Sequence, residues 1–273
     1  MSLLRIEALT RRFAGLVAVD GVTLDVAPGG LHAVIGPNGA GKTTLFNLIS
    51  GLVLPSAGRL WLGEHEMTAL RPEQRAALGM GRTFQNIRVF GAMTALENVL
   101  TGSHTRLSAG IASVLFRTPG FRAEEKRAVD RARTALDTVG LADKADLRAG
   151  GLSYGDQRRL EIARAIAPDP ALLLLDEPAA GMNPAETEAL ATLIQRLRST
   201  SMTVLLVEHD MGFVMGLCDT VTVLNFGRLI FDGPAQAARQ DQGVIEAYLG
   251  PKVAARLAAS VAAGGMRAGI RGA

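Results

Sequence analysis

Residues 31–50 read LHAVIGPNGAGKTTLFNLIS. LHAVIG is a short apolar run that reads as a buried strand, and KTTLFNLIS continues as a helix. Between them GPNGAGKT matches the spacing G-x-x-x-x-G-K-[ST]. Its glycines let backbone N–H groups wrap phosphate oxygens, and the helix N-terminus behind them favours an anion. The seat comprises Gly36, Pro37, Asn38, Gly39, Ala40, Gly41, Lys42, Thr43 and Thr44. Lys42 places its charge beside the β/γ oxygens, and Thr43 offers a hydroxyl to Mg²⁺. A glycine turn with a chance lysine is the alternative, but the flanking strand and helix are the context this chemistry requires.

Further along, Leu172–Leu175 precede Asp176 and Glu177 in PALLLLDEP. A carboxylate ending a buried parallel strand lies where α/β sheets bind ligands. Asp176 is placed to hold Mg²⁺ or its water, and Glu177 to orient or deprotonate an attacking water. Elsewhere two adjacent acids are usually a solvated strand end; beside a phosphate loop the catalytic reading is favoured. His209 closes a second apolar strand, VLLVEH, from which a neutral imidazole reaches a γ-phosphate. Gln85, in RTFQN, offers an amide to the metal or the lytic water. Phe13 is a candidate for stacking on adenine and nearly as good a candidate for the core.

The rest of the 273-residue chain frames these residues. Its first thirty residues alternate apolar and polar, with breaks at Asp20-Gly21 and Pro28–Gly30, and read as an antiparallel hairpin or meander. ALENVLTGS and AEEKRAVDRARTALDTVG read as helices, the second with Val129, Ala132, Leu136 and Val139 on one face. SAGIASVLFRTPGF, broken at Pro119-Gly120, reads as two short helices or a loop. MTVLLVEHD is a further buried strand, and AETEALATLIQRLRST, opened by Asn183-Pro184, is the crossover helix before it. TVTVLNFGRLIFDG reads as a hairpin turning at Phe226-Gly227. The fold class is therefore α/β, with residues 93–166 as a helical insertion.

The net charge is +3, but residues 251–273 carry Lys252, Arg256, Arg267 and Arg271 and no acid; taking those four from the total leaves −1. Nothing in that balance calls for nucleic acid as a partner. The tail is rich in alanine and glycine, with Lys252–Ala263 compatible with a helix. One cysteine, Cys218, excludes an internal disulfide and suits a reducing compartment. No secretory leader is visible, and no apolar run approaches the ~20 residues that span a bilayer.

A second anion seat remains. Residues 152–166, LSYGDQRRLEIARAI, begin like a capped helix whose free N–H groups attract phosphate. GPNGAGKTT, Gln85, this stretch, LLLLDEP and His209 occur in the order and spacing of an ABC-type ATPase subunit, a resemblance covering residues 3–250. It implies a P-loop NTPase (RecA-like) core formed by residues 1–92 and 167–250, an antiparallel β subdomain, and a helical subdomain at 93–166 carrying the signature loop. It also implies ATP and Mg²⁺ as cofactors, with Thr43, Gln85 and Asp176 at the metal. Glu177 is then the catalytic carboxylate, His209 the switch and Phe13 the adenine platform. In that family two subunits sandwich two ATPs head to tail, so Ser153, Tyr154, Gly155 and Asp156 of one chain would face the phosphates held by the other.

LSYGD departs from the common LSGGQ, and Asp156 is expected to weaken nucleotide affinity through its charge. Asn183 stands where many relatives carry aspartate, which bears on communication across the dimer. RTFQNIRVF, LSYGDQRRLEIAR, DEPAAGMNP, VEHDMGFVMGLCD and EAYLG together resemble the ATPases of branched-chain amino acid importers. The extended region around Gly110–Arg122 resembles the longer of their two ATPase types. This implies a heterodimer with a shorter paralogue, two integral membrane permease subunits and a periplasmic solute-binding protein. The chain would sit peripherally on the cytoplasmic face of the bacterial inner membrane. A hinge after Gln85, with Phe90 and Met93 as candidate lining residues, would carry the ATP-driven change to a permease helix.

Overall fold

Leu31–Ile35 (β3) is buried along its whole length, the mark of an inner strand covered on both faces. The computed structural model describes residues 2–102, 119–199 and 202–249. In it β3 pairs in parallel with Thr203–Val207 (β8) on one side and Thr220–Asn225 (β9) on the other. The six-stranded sheet runs β10-β9-β3-β8-β7-β6, with Met80–Arg82 (β6) and Leu172–Asp176 (β7) also parallel. Only Arg228–Pro234 (β10) is antiparallel, paired with β9 through the expected turn at Phe226-Gly227. Carboxyl ends of five parallel strands therefore line one edge, where ligands of such sheets bind.

Alternate residues of these strands face two separate cores. Val34, Leu174, Leu205 and Val207 pack on Lys42–Ser50 (α1) and on a four-stranded sheet, β2-β1-β4-β5, built from Leu4–Phe13, Leu16–Val26, Ala57–Leu62 and His65–Glu66. Ala33, Ile35, Leu173, Leu175 and Leu206 face the other side. That core takes in Ala95–Gly102 (α3), Pro119–Thr138 (α4), Tyr154–Ile166 (α5), Pro184–Ser199 (α6) and Met211–Leu217 (α7). Pro72–Ala77 is α2; Ala235–Ala238 (α8) and Gln242–Leu249 (α9) complete the described helices. No helix among the described residues is long and apolar enough to cross a membrane.

Two local expectations are corrected. Asp20-Gly21 does not break the first sheet: β2 runs through it, and the hairpin turns instead at Ala14-Gly15. Gly21, at φ +63°, sits in a bulge where its N–H donates to the Thr10 hydroxyl at 3.0 Å, a conformation that glycine adopts without strain. Pro119-Gly120 opens α4 and does not interrupt it, because proline suits the first helical turn. The region Gly110–Arg122 lies mostly, and the tail 251–273 wholly, outside the described residues.

A buried arginine fastens the end of α1. Arg75, on α2, is fully buried. Its guanidinium donates to the carbonyls of Leu48 at 2.5 Å, Ile49 at 2.7 Å, Leu70 at 3.0 Å and Thr68 at 3.2 Å. It thereby caps the carbonyls left open where α1 stops at Gly51. Burial pushes its pKa down to about 10, so it stays charged at neutral pH. Arg75→Met strands those acceptors and should cost roughly 3 kcal/mol, about 6–12 °C in Tm. Arg75→Lys should recover part of that loss in a thermal melt. A shift below about 2 °C for Arg75→Met would contradict this role.

Candidate active site

The phosphate loop leaves β3 and enters α1 under tight constraint. Lys42 is buried, and its ammonium closes the loop on itself by donating to the carbonyls of Gly36 at 2.6 Å and Pro37 at 2.9 Å. A Cβ on Gly36 would lie 2.2 Å from the Leu224 carbonyl, and one on Gly41 would lie 2.4 Å from that of Ala18. Glycine at these two places lets the loop seat against β9 and β2. Gly41 also leaves the α1 N-terminus without a side-chain cap, so its first N–H groups face the cleft. That cleft, of about 450 Å³, is lined by residues 38–44, Leu16–Ala18, Glu177, Phe226 and Gly227.

Three sequence-distant side chains converge beside it. Gln85 follows β6, Glu177 follows β7 and His209 follows β8, and these strands are neighbours in the sheet. Gln85 Nε2 donates to Glu177 Oε2 at 3.0 Å, and His209 Nδ1 lies 4.0 Å from the same oxygen. Glu177 itself is held at φ +44°, with its N–H donating to the Val207 carbonyl at 3.0 Å. Burial lowers the Lys42 pKa, and the Glu177 charge opposes that fall. Asp176 is buried and pairs with Arg82 at 3.2 Å; burial raises its pKa against the pull of Arg82. Arg82 also donates to Asn47 and Ser50 of α1, so it ties three elements together beneath the loop.

Among the described residues no group of three or more His, Cys, Asp or Glu side chains is placed to hold a metal. Thr43, Asp176 and Gln85 supply few oxygen donors, a set that suits Mg²⁺ arriving on phosphates and keeping several waters.

The second anion seat is elsewhere. Ser153 caps α5, its hydroxyl accepting from the Asp156 N–H at 3.2 Å. Tyr154 donates from its hydroxyl to the Ala180 carbonyl at 3.0 Å, and a Cβ on Gly155 would meet the Glu186 carboxylate at 2.9 Å. Ser153 and Gly155 line a small separate cavity with Arg159, Met182 and Glu186, and no residue of α5 lines the phosphate cleft.

Two phosphate seats at the ends of different elements agree with what related chains show. A family model described as ABC transporter matches residues 19–180. The chain belongs to the ABC transporter family. It is 46% identical to the high-affinity branched-chain amino acid transport ATP-binding protein LivG of Escherichia coli, over 91% of this chain and 98% of LivG. It is 47% identical, over the same shares of each chain, to BraF of Pseudomonas aeruginosa, which bears the same description. Among solved structures it resembles the ADP conformation of MJ1267, an ATP-binding cassette of an ABC transporter. That match has 31% identity and a TM-score of 0.80, over 92% of this chain and 99% of that one.

Within this cassette two sequence expectations meet a different geometry. Phe13 does not line the cleft; it is partly exposed and carries the Arg11 guanidinium 4.5 Å from its ring centroid. The Asp156 carboxylate is turned inward onto Lys144, at 2.6 Å, and Arg159. Burial works to raise its pKa, but the Lys144 bond, the Arg159 charge and the Ser153 bond leave it below the usual range. Its charge is already compensated and does not confront a phosphate.

Other residues were not singled out from sequence. Glu208, fully buried and with its pKa raised by burial, accepts from the N–H groups of Ala179 at 3.0 Å and His209 at 3.2 Å. It thus joins the AAGMNP loop to the switch histidine. Glu161 and Arg158 of α5 form a wholly buried pair at 3.1 Å. Arg158 donates to the carbonyls of Phe84 at 2.7 Å and Gln85 at 2.8 Å, while Glu161 accepts from the N–H groups of Phe84 and Arg88, each at 3.4 Å. The only signal for them was the charge within an otherwise apolar helical pattern, LEIARAI.

Arg158→Leu should therefore cost roughly 3–5 kcal/mol, because it leaves Glu161 buried without its partner. Amide exchange at residues 84–88 should accelerate ahead of the strands. Denaturant unfolding and hydrogen exchange read both effects. A loss under about 1 kcal/mol with unchanged protection of 84–88 would contradict the clamp.

Proposed function

We propose that this cassette hydrolyses ATP as one half of a head-to-tail dimer, and that the cycle drives uptake of branched-chain amino acids through membrane permeases. One observation carries the dimer: the signature tip lies outside the cleft of its own chain, yet has the free N–H groups and hydroxyl that a γ-phosphate needs. A second subunit, with a shorter paralogue as the favoured partner, would bring Ser153 and Gly155 onto the phosphates seated by Lys42.

In such a site Lys42 and the loop amides bind the β- and γ-phosphates and stabilise charge that develops during transfer. Thr43, Asp176 and Gln85 would hold Mg²⁺, whose charge neutralises the phosphate oxygens. Glu177 accepts the proton of the attacking water. The Gln85 amide, donating to Glu177 Oε2, keeps that carboxylate turned toward the water and bears on the metal side too. His209 completes the constellation from β8 and senses loss of the γ-phosphate. Binding favours closure only because the closed pair meets ATP with contacts the open one lacks.

The loop after Gln85 suits the coupling step. A groove of about 480 Å³ is lined by Phe84, Arg88, Phe90, Thr101 and Arg164, bridging the sheet and the helical subdomain at 93–166. Phe90 is half-exposed there, and Met93, also half-exposed, lies beyond it, so neither is a core residue. A permease helix in this groove would feel any movement of Gln85, because Arg158 holds the loop backbone. This arrangement places the chain peripherally at the cytoplasmic face of the bacterial inner membrane, served by a periplasmic binding protein. The cargo is supported by the likeness to LivG and BraF.

Uptake of radiolabelled leucine, isoleucine and valine in cells lacking only this protein is the test. Uptake should fall at least ten-fold, return with the wild-type gene, and stay low with Glu177→Gln. Normal uptake of all three with impaired uptake of another solute would overturn the cargo. Full rescue by Glu177→Gln would overturn the catalytic assignment.

A further inference from the structure

The mouth of the phosphate cleft is apolar. Leu16, Val17 and Phe226 border it beside the phosphate loop, and Phe226 is 85% exposed. Sequence rules for turns argue against an aromatic at this position. Phe226 and Gly227 are the two central residues of the β9–β10 hairpin, both with positive φ, +47° and +79°. Such a turn favours Asn-Gly, since a bulky side chain strains the left-handed conformation. A large exposed aromatic therefore occupies a backbone position that resists it.

The hairpin tip is also held in place. Gly227 donates its N–H to the Ala40 carbonyl of the phosphate loop at 2.9 Å. Its own carbonyl accepts from the Asp20 N–H at 2.8 Å, and Arg228 pairs with Asp20 at 2.9 Å. These ties fix the Phe226 ring relative to the phosphate seat. Phe13, the sequence candidate for the base, is engaged with Arg11 and stands off the cleft.

We infer that Phe226 is the base-stacking residue of the nucleotide site, its ring forming with Leu16 and Val17 an apolar slot for the adenine of ATP. The inference rests on the reading of the cleft as an ATP site. An aromatic face gains binding from any flat base without reading its edge.

Calorimetric titration of the full chain in EDTA, with ATP and with inorganic tripolyphosphate, tests it. Phe226→Ala should weaken ATP binding by about five-fold or more, the lower end of what loss of one stacked base produces. Tripolyphosphate affinity should stay within about two-fold. Phe226→Asn should weaken ATP binding equally while raising Tm, since it suits the turn better. That opposite movement of affinity and stability is not expected of a merely structural residue. Unchanged ATP affinity in Phe226→Ala, or equal weakening of both ligands, would overturn the proposal. Wild-type protein that bound neither ligand would instead overturn the underlying reading of the cleft.

Discussion

The Tyr154 hydroxyl on the Ala180 carbonyl, with Gly155 packed on Glu186, holds the signature tip against the N-terminus of α6. From there it cannot serve the phosphate loop that follows β3 in the same chain. Each seat has the right chemistry and lacks the other half: Lys42 and the loop amides on one side, the capped end of α5 on the other. A nucleotide gripped on one face only is the consequence, and the need for a neighbour follows from it.

The same contacts join the two half-sites within one subunit. Tyr154 touches the AAGMNP loop, Glu208 takes the Ala179 N–H of that loop and the N–H of His209, and His209 lies beside Glu177. Gln85 reaches Glu177 from the opposite side, and its backbone is clamped to α5 by Arg158. A closed path of hydrogen bonds and ion pairs therefore runs from the signature tip through the catalytic carboxylate and back to the signature helix. Its buried members, Glu208, Glu161 and Arg158, are costly to leave unpaired, so the path resists partial rearrangement.

Much of this was legible in the sequence because the chemistry dictates local pattern. The loop at 36–44 declares itself by spacing, and Glu177 and His209 stand out as polar ends of apolar strands. The strand order that makes Gln85, Glu177 and His209 neighbours was expected from the family resemblance, not from periodicity. What escaped were residues whose role depends on tertiary neighbours. Asp156 looked like a charge facing phosphate until Lys144 and Arg159 were seen to claim it. Phe13 and Phe226 are both aromatics near turns, and only the packing of Gly227 on Ala40 separates them. Gly21 reads as a turn by composition, whereas the Thr10 hydroxyl makes it a bulge.

Turnover per chain, measured across protein concentration with the oligomeric state monitored in parallel, bears most directly on the half-site claim. ATPase activity per subunit should rise as the cassette, alone or mixed with its ATPase partner, passes from monomer to dimer. Full turnover by a verified monomer, unaffected by dilution, would contradict it.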